Sequence, residues 1–464
     1  MIYYARRNEN AGRSHWSRGA QVERYQRNFW FYLLGRLVSL VGSGIQQVAI
    51  PLFILDLTGS GTIMGTFVLV SNIPRIIFGP FAGVIGDRFN RKKIMVNMDL
   101  ARGLIILSLA LMASIDGLTV GILLVAQFFV SALDIVFDPA TTAMIPDIVP
   151  DQKLTRANSI IQGVNSVSYI IGPALGGVLY GLFGIRAVFL ANGVSFIASA
   201  ISEMFITYRQ TTRRTRMTIK STLVDIKEGL AFLKTVRGLL LLLSFAMLTN
   251  FFISSAFAVV FPFFAREVVG FSSRQFGFLQ SSWVIGILLG NIILAAFLSK
   301  KSPDTLFKTG VSAQMGGFML LGVIAAPLFI QILGGPSWIY FSVIASIFLF
   351  TGAYNALVNT PLMTAFHRRT PTEYRSRVFS VIALLAQMTV PLGAMLFGVA
   401  LDYVQVHWLF IVAATGNAAA TIVFLSIGMS RFLAPVASVE VSQKTGSVEP
   451  GAAAEPGPEP KSSA

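Results

Sequence analysis

The 464-residue chain has no cysteine, three histidines and few charges, with Asp, Glu, Lys and Arg together making up 12 %. The missing thiols exclude disulfides, thiol catalysis and Cys-ligated metal sites. His15, His367 and His407 lie far apart in sequence and offer no metal site. A soluble domain carries about 25 % charged residues, so this chain has about half the usual solvating surface. It holds 54 % hydrophobic residues, 38 of them Phe, and its mean hydropathy is +0.70. Length alone would suggest two or three soluble domains, but this composition makes lipid the natural solvent. The net charge of +15 would imply nucleic acid for a soluble chain. On a membrane chain it implies only that the charge is sorted to one side.

A span needs ~20 mainly apolar residues to cross ~30 Å of hydrocarbon. Twelve segments qualify: 29–55, 62–86, 94–115, 118–138, 160–181, 186–206, 239–264, 275–298, 306–330, 336–358, 378–400 and 407–430. The arm at 1–28 is polar and basic, with no apolar core and cleavage site after it, so no signal peptide is expected. Only Arg186, Arg266 and Arg274 follow odd-numbered spans, and only Arg36, Arg75 and Arg102 lie within spans away from their edges, Lys308 being counted with the segment that precedes its span. The rest of the 36 basic residues fall on the arm, on segments after even-numbered spans and on the tail. That bias places both termini in the cytoplasm of a multi-pass protein of the cell membrane.

A shift of 221 residues superimposes parts of the chain on themselves. It aligns Pro150 with Pro371, Arg156 with Arg377, Ser159 with Ser380, Gly172 with Gly393, Gly177 with Gly398 and Phe189 with Phe410. The chain is therefore read as two related six-helix halves, 29–206 and 239–430, in an all-α membrane fold. Duplicated halves are a transporter signature, with substrate bound near mid-membrane between them. The linker at 207–238 repeats Ile219, Leu223, Ile226, Leu230 and Leu233 every three or four residues, with Lys220, Lys227 and Lys234 seven apart. This pattern predicts an amphipathic helix lying on anionic lipid. The tail at 431–464 turns to Ala, Pro, Glu, Gly and Ser, a composition expected to be disordered.

The end of the second span reads Gly79-Pro80-Phe81-Ala82-Gly83-Val84-Ile85-Gly86-Asp87-Arg88-Phe89-Asn90-Arg91-Lys92-Lys93. It resembles the major facilitator superfamily signature G-x-x-x-D-R-x-G-R-[RK]-[RK]. Gly83, Asp87, Arg88, Arg91, Lys92 and Lys93 match, and Asn90 stands where Gly is usual. Asn also tolerates a left-handed turn. Gly79 and Gly83, one turn apart, permit close helix packing. An acid at a membrane boundary is costly without a partner, and Asp87 is placed to cap another helix and meet its dipole. The resemblance implies the major facilitator fold, and that Asp87 closes the cytoplasmic side by docking at the start of the eleventh span.

In the fifth span, Gly172-Pro173-Ala174-Leu175-Gly176-Gly177 resembles the G-P-x-x-G-G core of the antiporter motif of drug exporters. A Gly-Pro pair bends a helix and thins one face. Three further stretches resemble the macrolide-efflux-like branch of the drug:proton antiporters: Phe137-Asp138-Pro139-Ala140, Ile145-Pro146-Asp147-Ile148-Val149-Pro150 and Asp99-Leu100-Ala101-Arg102-Gly103. The superfamily's R-x-x-x-G motif of the fourth span is absent, and Asp134 stands in that span instead.

Ionisable residues inside the membrane are functional candidates by default. Asp99 and Arg102 share a helix face at i, i+3. With Asp134 they form a candidate proton-coupling group, or else a permanent ion-pair cluster. Arg75 lies near mid-span with no acid expected at its depth, which favours exposure to a central cavity. Arg36 either faces that cavity or snorkels. In the second half, Asn250, Asn291, Gln314, Asn355, Asn359 and Gln387 supply polar groups. Together with Phe251, Phe252, Phe257, Phe261, Trp283, Phe348 and Phe350 they could line an apolar cavity suited to bulky amphipathic compounds, although each such aromatic singly more often packs or meets lipid.

The expected function is proton-driven export of amphipathic drugs by a monomeric transporter, with small-molecule substrate, protons and membrane lipid as partners and no cofactor or nucleic acid. The alternative is an exporter or flippase of a lipid or an anionic metabolite such as a siderophore. A membrane enzyme lacks a candidate site, an ATP-driven pump lacks a phosphate loop, and duplicated halves favour alternating access over a channel.

Overall fold

The computed structural model describes residues 2–208 and 219–427, and the side chains of 25–79, 81, 89–208 and 224–427. Every regular element among them is helical. The helices are α1 Ile2–Thr58, α2 Gly61–Arg88, α3 Arg91–Ser114, α4 Val120–Ile148, α5 154–183, α6 185–204 and α7 Ile219–Thr235 in the linker. The second half contains α8 Arg237–Val268, α9 Ser273–Leu298, α10 Pro303–Ile324, the short α11 Pro327–Ile332, α12 Trp338–Arg369, α13 Thr372–Leu401 and α14 Val406–Ser426. Without α7 and α11, twelve helices remain, as the hydropathy pattern predicts. Gly184 separates α5 from α6 at φ 71°, ψ −173°, a backbone conformation essentially confined to glycine. Bulky apolar side chains such as Leu104, Phe129 and Ile339 are exposed, as a lipid-facing surface requires. The tail at 431–464 lies outside the described residues.

Helix starts follow local chemistry. Ser272 and Gln275 form a reciprocal capping box on α9, and Ser302 caps α10 ahead of Pro303. Asn90 caps α3 by accepting the Lys93 amide at 3.1 Å, with φ −68° and ψ 116°. Its role is therefore capping from extended backbone, and the expected left-handed turn is corrected.

The linker helix departs from expectation. Ile226, Leu230 and Leu233 pack with Leu239, Val378, Val381 and Ile382 in a protein core. Phe232 stacks on Tyr374 at 4.6 Å between centroids. Arg377 Nε donates to Asp225 at 2.8 Å, and its Nη1 meets Glu228 at 2.6 Å. The apolar stripe thus covers the start of α13 rather than lipid, because an apolar protein surface was available one helix away. Lys227 and Lys234 remain exposed, and the side chains of Ile219, Lys220 and Leu223 lie outside the described residues.

Candidate functional site

Ionisable side chains converge in the first half. Arg102 of α3 donates to Asp99 on its own helix and to Asp134 of α4. Its guanidinium carbon lies 4.1 Å from the centroid of Phe137 and 4.6 Å from that of Phe196, so aromatic faces cover both its sides. Asp99 is fully buried and Arg102 nearly so, whereas the Asp134 side chain is 35 % exposed. The i, i+3 spacing on α3 creates the first pair, and α4 supplies the accessible acid.

Glu203 of α6 joins this group, and the sequence reading missed it. Glu203 is 2 % exposed, and the Ser199 hydroxyl lies 3.4 Å from its Oε1. The missed signal was plain, because Glu203 falls inside the predicted span 186–206.

Arg75 does have an acid at its depth. Its Nη2 lies 3.7 Å from Asp138 Oδ2, with both side chains about half exposed. Pro139 does not end α4, which continues to Ile148 and carries Asp138 within it. Arg36 Nε donates to Asn165 of α5 at 3.1 Å. The second-half candidates are mostly packed. Phe257, Phe261, Trp283 and Phe348 stack on one another at 4.6 to 6.3 Å, with Phe261 and Phe348 buried. Phe350 is exposed and contacts Tyr354. Asn250 accepts from Ser254 at 3.0 Å, Asn355 accepts from Asn359 at 2.7 Å, and buried Gln314 donates to the Thr351 carbonyl. Three π-helical turns around Pro262 widen α8 beside this aromatic cluster.

The signature segment divides. The side chains of Gly83, Asp87 and Arg88 lie outside the described residues. A Cβ on Gly79 would meet nothing within 4 Å, so its expected role in close packing is corrected. Arg91 is buried and donates to Asp147 Oδ2 at 3.0 Å and to the Ala143 carbonyl at 2.9 Å. It is therefore more than an exposed anchoring charge. Tyr208 donates to the same Asp147 oxygen at 2.8 Å. Lys92 Nζ donates to the Met204 carbonyl at 2.7 Å.

The glycines of the fifth span are contact points. A Cβ on Gly172 would sit 2.9 Å from Gly44 Cα, and one on Gly176 would sit 2.6 Å from the Ile45 carbonyl, both on α1. Gly177 instead meets Gly277 and Ser273 of α9, across the two halves. The repeat reproduces this pattern. Gly393 packs on Phe251 and Ser255 of α8, and Gly398 packs on Gly61 and Gly65 of α2. Thus Gly172 and Gly393 each touch the first helix of their own half. Gly177 and Gly398 each touch the second helix of the other half, as a pseudo-two-fold axis requires. Ser159 and Ser380, also matched by the repeat, each bond the carbonyl four residues back.

Both crossings involve the end that the sequence places outside the cell. There Asp402 of the second half caps α2 of the first, accepting the Gly61 amide at 2.8 Å, the Thr62 amide at 3.3 Å and the Ser60 hydroxyl at 3.2 Å. Burial alone would push its carboxyl up, but these bonds outweigh burial and hold it below the usual carboxylate range. Arg266 of α8 pairs with Asp56 of α1, Nη2 to Oδ2 at 3.0 Å, and Tyr180 donates to Asp56 at 2.6 Å.

The family model of the Major Facilitator Superfamily matches residues 32–388. The chain belongs to this superfamily. It is a multi-pass membrane transporter, not an enzyme, and it resembles the macrolide-efflux-like branch. Macrolide efflux protein A of Streptococcus pyogenes is 26 % identical over 404 residues, covering 85 % of this chain and 95 % of that protein. Multidrug efflux pump Tap of Mycolicibacterium fortuitum is 25 % identical over 394 residues, covering 82 % and 90 %. The crystal structure of a bacterial homologue of the iron transporter ferroportin, in an inward-facing state, superposes with a TM-score of 0.66 at 17 % identity, covering 87 % of this chain and 99 % of that one. At that identity the likeness speaks for the fold alone.

Proposed function

We propose that this major facilitator transporter exports amphipathic, drug-like compounds from the cytoplasm, driven by protons moving inward through alternating access. The observation that carries the reading is Asp134. It is a partly exposed carboxyl tied directly to a sealed Arg102–Asp99 pair. An acid at such a boundary can exchange a proton with water and change the electrostatics of a buried cluster. The named activities of macrolide efflux protein A and of Tap fit an exporter of this kind.

The described contacts between halves favour a conformer closed outside and open to the cytoplasm. In the opposite conformer, Asp87 would dock at the start of α13, where Pro371 supplies no side-chain cap. Within the G-P-x-x-G-G segment, Gly172 and Gly176 hold α5 to α1 inside the first half, while Gly177 closes on α9 of the second half in this conformer. The pairing of Arg75 with Asp138 argues against Arg75 as a free receptor for an anionic metabolite.

The test is reconstitution of the full chain in proteoliposomes with an imposed pH gradient, screened against a macrolide, ethidium, a lysolipid and an anionic siderophore. Gradient-dependent movement of the macrolide or ethidium is expected. Movement of only the lysolipid or siderophore would replace the substrate class. No gradient-dependent movement of any probe would remove proton-driven export.

A further inference from the structure

Glu203 is the acid of this network to which, among the described residues, no cation donates. Three carboxyls, from Asp99, Asp134 and Glu203, surround one guanidinium, and Arg102 donates to the first two. Glu203 Oε2 and Asp99 Oδ2 are buried without a hydrogen-bond partner. The Ser199 hydroxyl lies 3.4 Å from Glu203 Oε1, one helical turn away on the same helix. Ser199 is itself fully buried. A Cβ on Gly35 of α1 would sit 3.1 Å from Ser199 Oγ, so α1 closes directly over the hydroxyl.

The charge arithmetic is severe. With every group ionised, the cluster would hold two net negative charges inside a largely dry site. Isolated carboxylates there cost far more than a proton does, and a buried acid without a cation takes up a proton instead. One proton leaves the cluster at one net negative charge. Asp99 accepts directly from Arg102 and Glu203 does not, so the proton sits on Glu203. Among the described residues, the other ionisable groups facing this site are Tyr32 and Arg36 of α1, Lys92 and Arg102 of α3 and Asp134 and Asp138 of α4, the last paired with Arg75. Lys92 is spent on the Met204 carbonyl, and Arg36 on Asn165.

We infer that Glu203 is a proton-carrying residue, loaded in this conformer, and that it exchanges its proton with Asp99. The Glu203 proton passes to Asp99, the other carboxyl of the cluster with an oxygen that lacks a partner. Glu203 becomes a carboxylate and Asp99 a carboxylic acid, with net charge unchanged. Arg102 is then left to Asp134 alone, which links the buried proton to the exposed acid. This rests on the proton-coupled reading above, with Glu203 as a site additional to Asp99 and Asp134.

The test uses the full chain in lipid vesicles. Infrared difference spectra at neutral pH are recorded for the parent, Glu203→Gln, Glu203→Asp and Ser199→Ala, alongside pH-gradient-driven ethidium transport and downhill ethidium counterflow. The parent is expected to show a protonated-carboxyl C=O band that Glu203→Gln removes and Ser199→Ala keeps. Glu203→Gln, which mimics the neutral acid, should lose gradient-driven transport and keep counterflow, and Glu203→Asp should retain both. If Glu203→Gln leaves the carboxyl band unchanged, Glu203 is ionised and the inference is overturned. If the band disappears while gradient-driven transport survives, Glu203 holds a structural proton and the carrier role is overturned. The band is read whether or not the parent transports, so failure of proton-driven export is seen separately.

Discussion

Consider an added methyl at Gly398, where α13 crosses α2. A Cβ there lies 2.5 Å from the Gly61 carbonyl oxygen and 3.0 Å from Gly65 Cα. Both neighbours are backbone, so no side chain can rotate away. A carbon–oxygen contact relaxes only near ~3.3 Å, so the helices must part by about 0.8 Å at this point. The helix-propensity gain of Gly→Ala applies in every conformer and cancels from the comparison. What remains is overpacking, typically ~1–3 kcal/mol. Set against an equilibrium between two arrangements of the halves, that is roughly a 5- to 150-fold shift away from the conformer described here. The cysteine-free chain allows a clean measurement. Exposed Leu57 and Tyr403, one on each half at this end, are converted by Leu57→Cys and Tyr403→Cys and spin-labelled. Double electron–electron resonance then reads their separation. Gly398→Ala should move population to longer distances, and Gly79→Ala, whose Cβ meets nothing within 4 Å, should not. An unchanged distribution in Gly398→Ala, or an equal shift in both variants, refutes the argument.

Other outcomes follow from the same contacts. Asp402 has a lowered carboxyl pKa in the closed arrangement. Its contribution to closure is therefore complete above the usual carboxylate range and disappears as pH falls through the lowered value. The spin-label distances should lengthen only in that acid window, and Asp402→Asn should abolish the pH dependence. Arg91→Ala removes a buried ion-pair partner of Asp147, a loss of up to about 3 kcal/mol that should appear as a lower thermal unfolding midpoint in detergent. Asp225→Ala with Glu228→Ala breaks pairs that are about 40 % exposed, so the same midpoint should move little, by the ~0.2–1 kcal/mol of surface ion pairs.

The parts of this molecule legible in its sequence were those with a strong local period or an exact repeat. Twelve apolar runs became twelve helices, and the shift of 221 residues paired Gly177 with Gly398, whose contacts prove to be symmetric across the halves. The Arg102–Asp99 pair was legible because i, i+3 spacing is local. Long-range pairings were not. Arg75 seemed to lack an acid because the fourth span was bounded at 118–138, which put Asp138 at its very end, yet the helix runs on to Ile148 and carries Asp138 within it. The linker helix showed its period but not its neighbour, since an apolar stripe fits lipid and protein equally well. Glu203 carried the same signal as Asp99 and Asp134, an acid inside an apolar span, but close to that span's end. Asp402 and Arg266 fall at helix ends, where only the fold reveals which end faces which.

The central claim is that a proton gradient drives export through the charged network of the first half. It is tested most directly by comparing the parent with Asp134→Asn in proteoliposomes, following vesicle-lumen pH and ethidium together after an acid-to-neutral pH jump. The account predicts ethidium accumulation coupled to proton flux in the parent, and downhill ethidium movement without coupled proton flux in Asp134→Asn. Coupled flux of the same size in both proteins would contradict it.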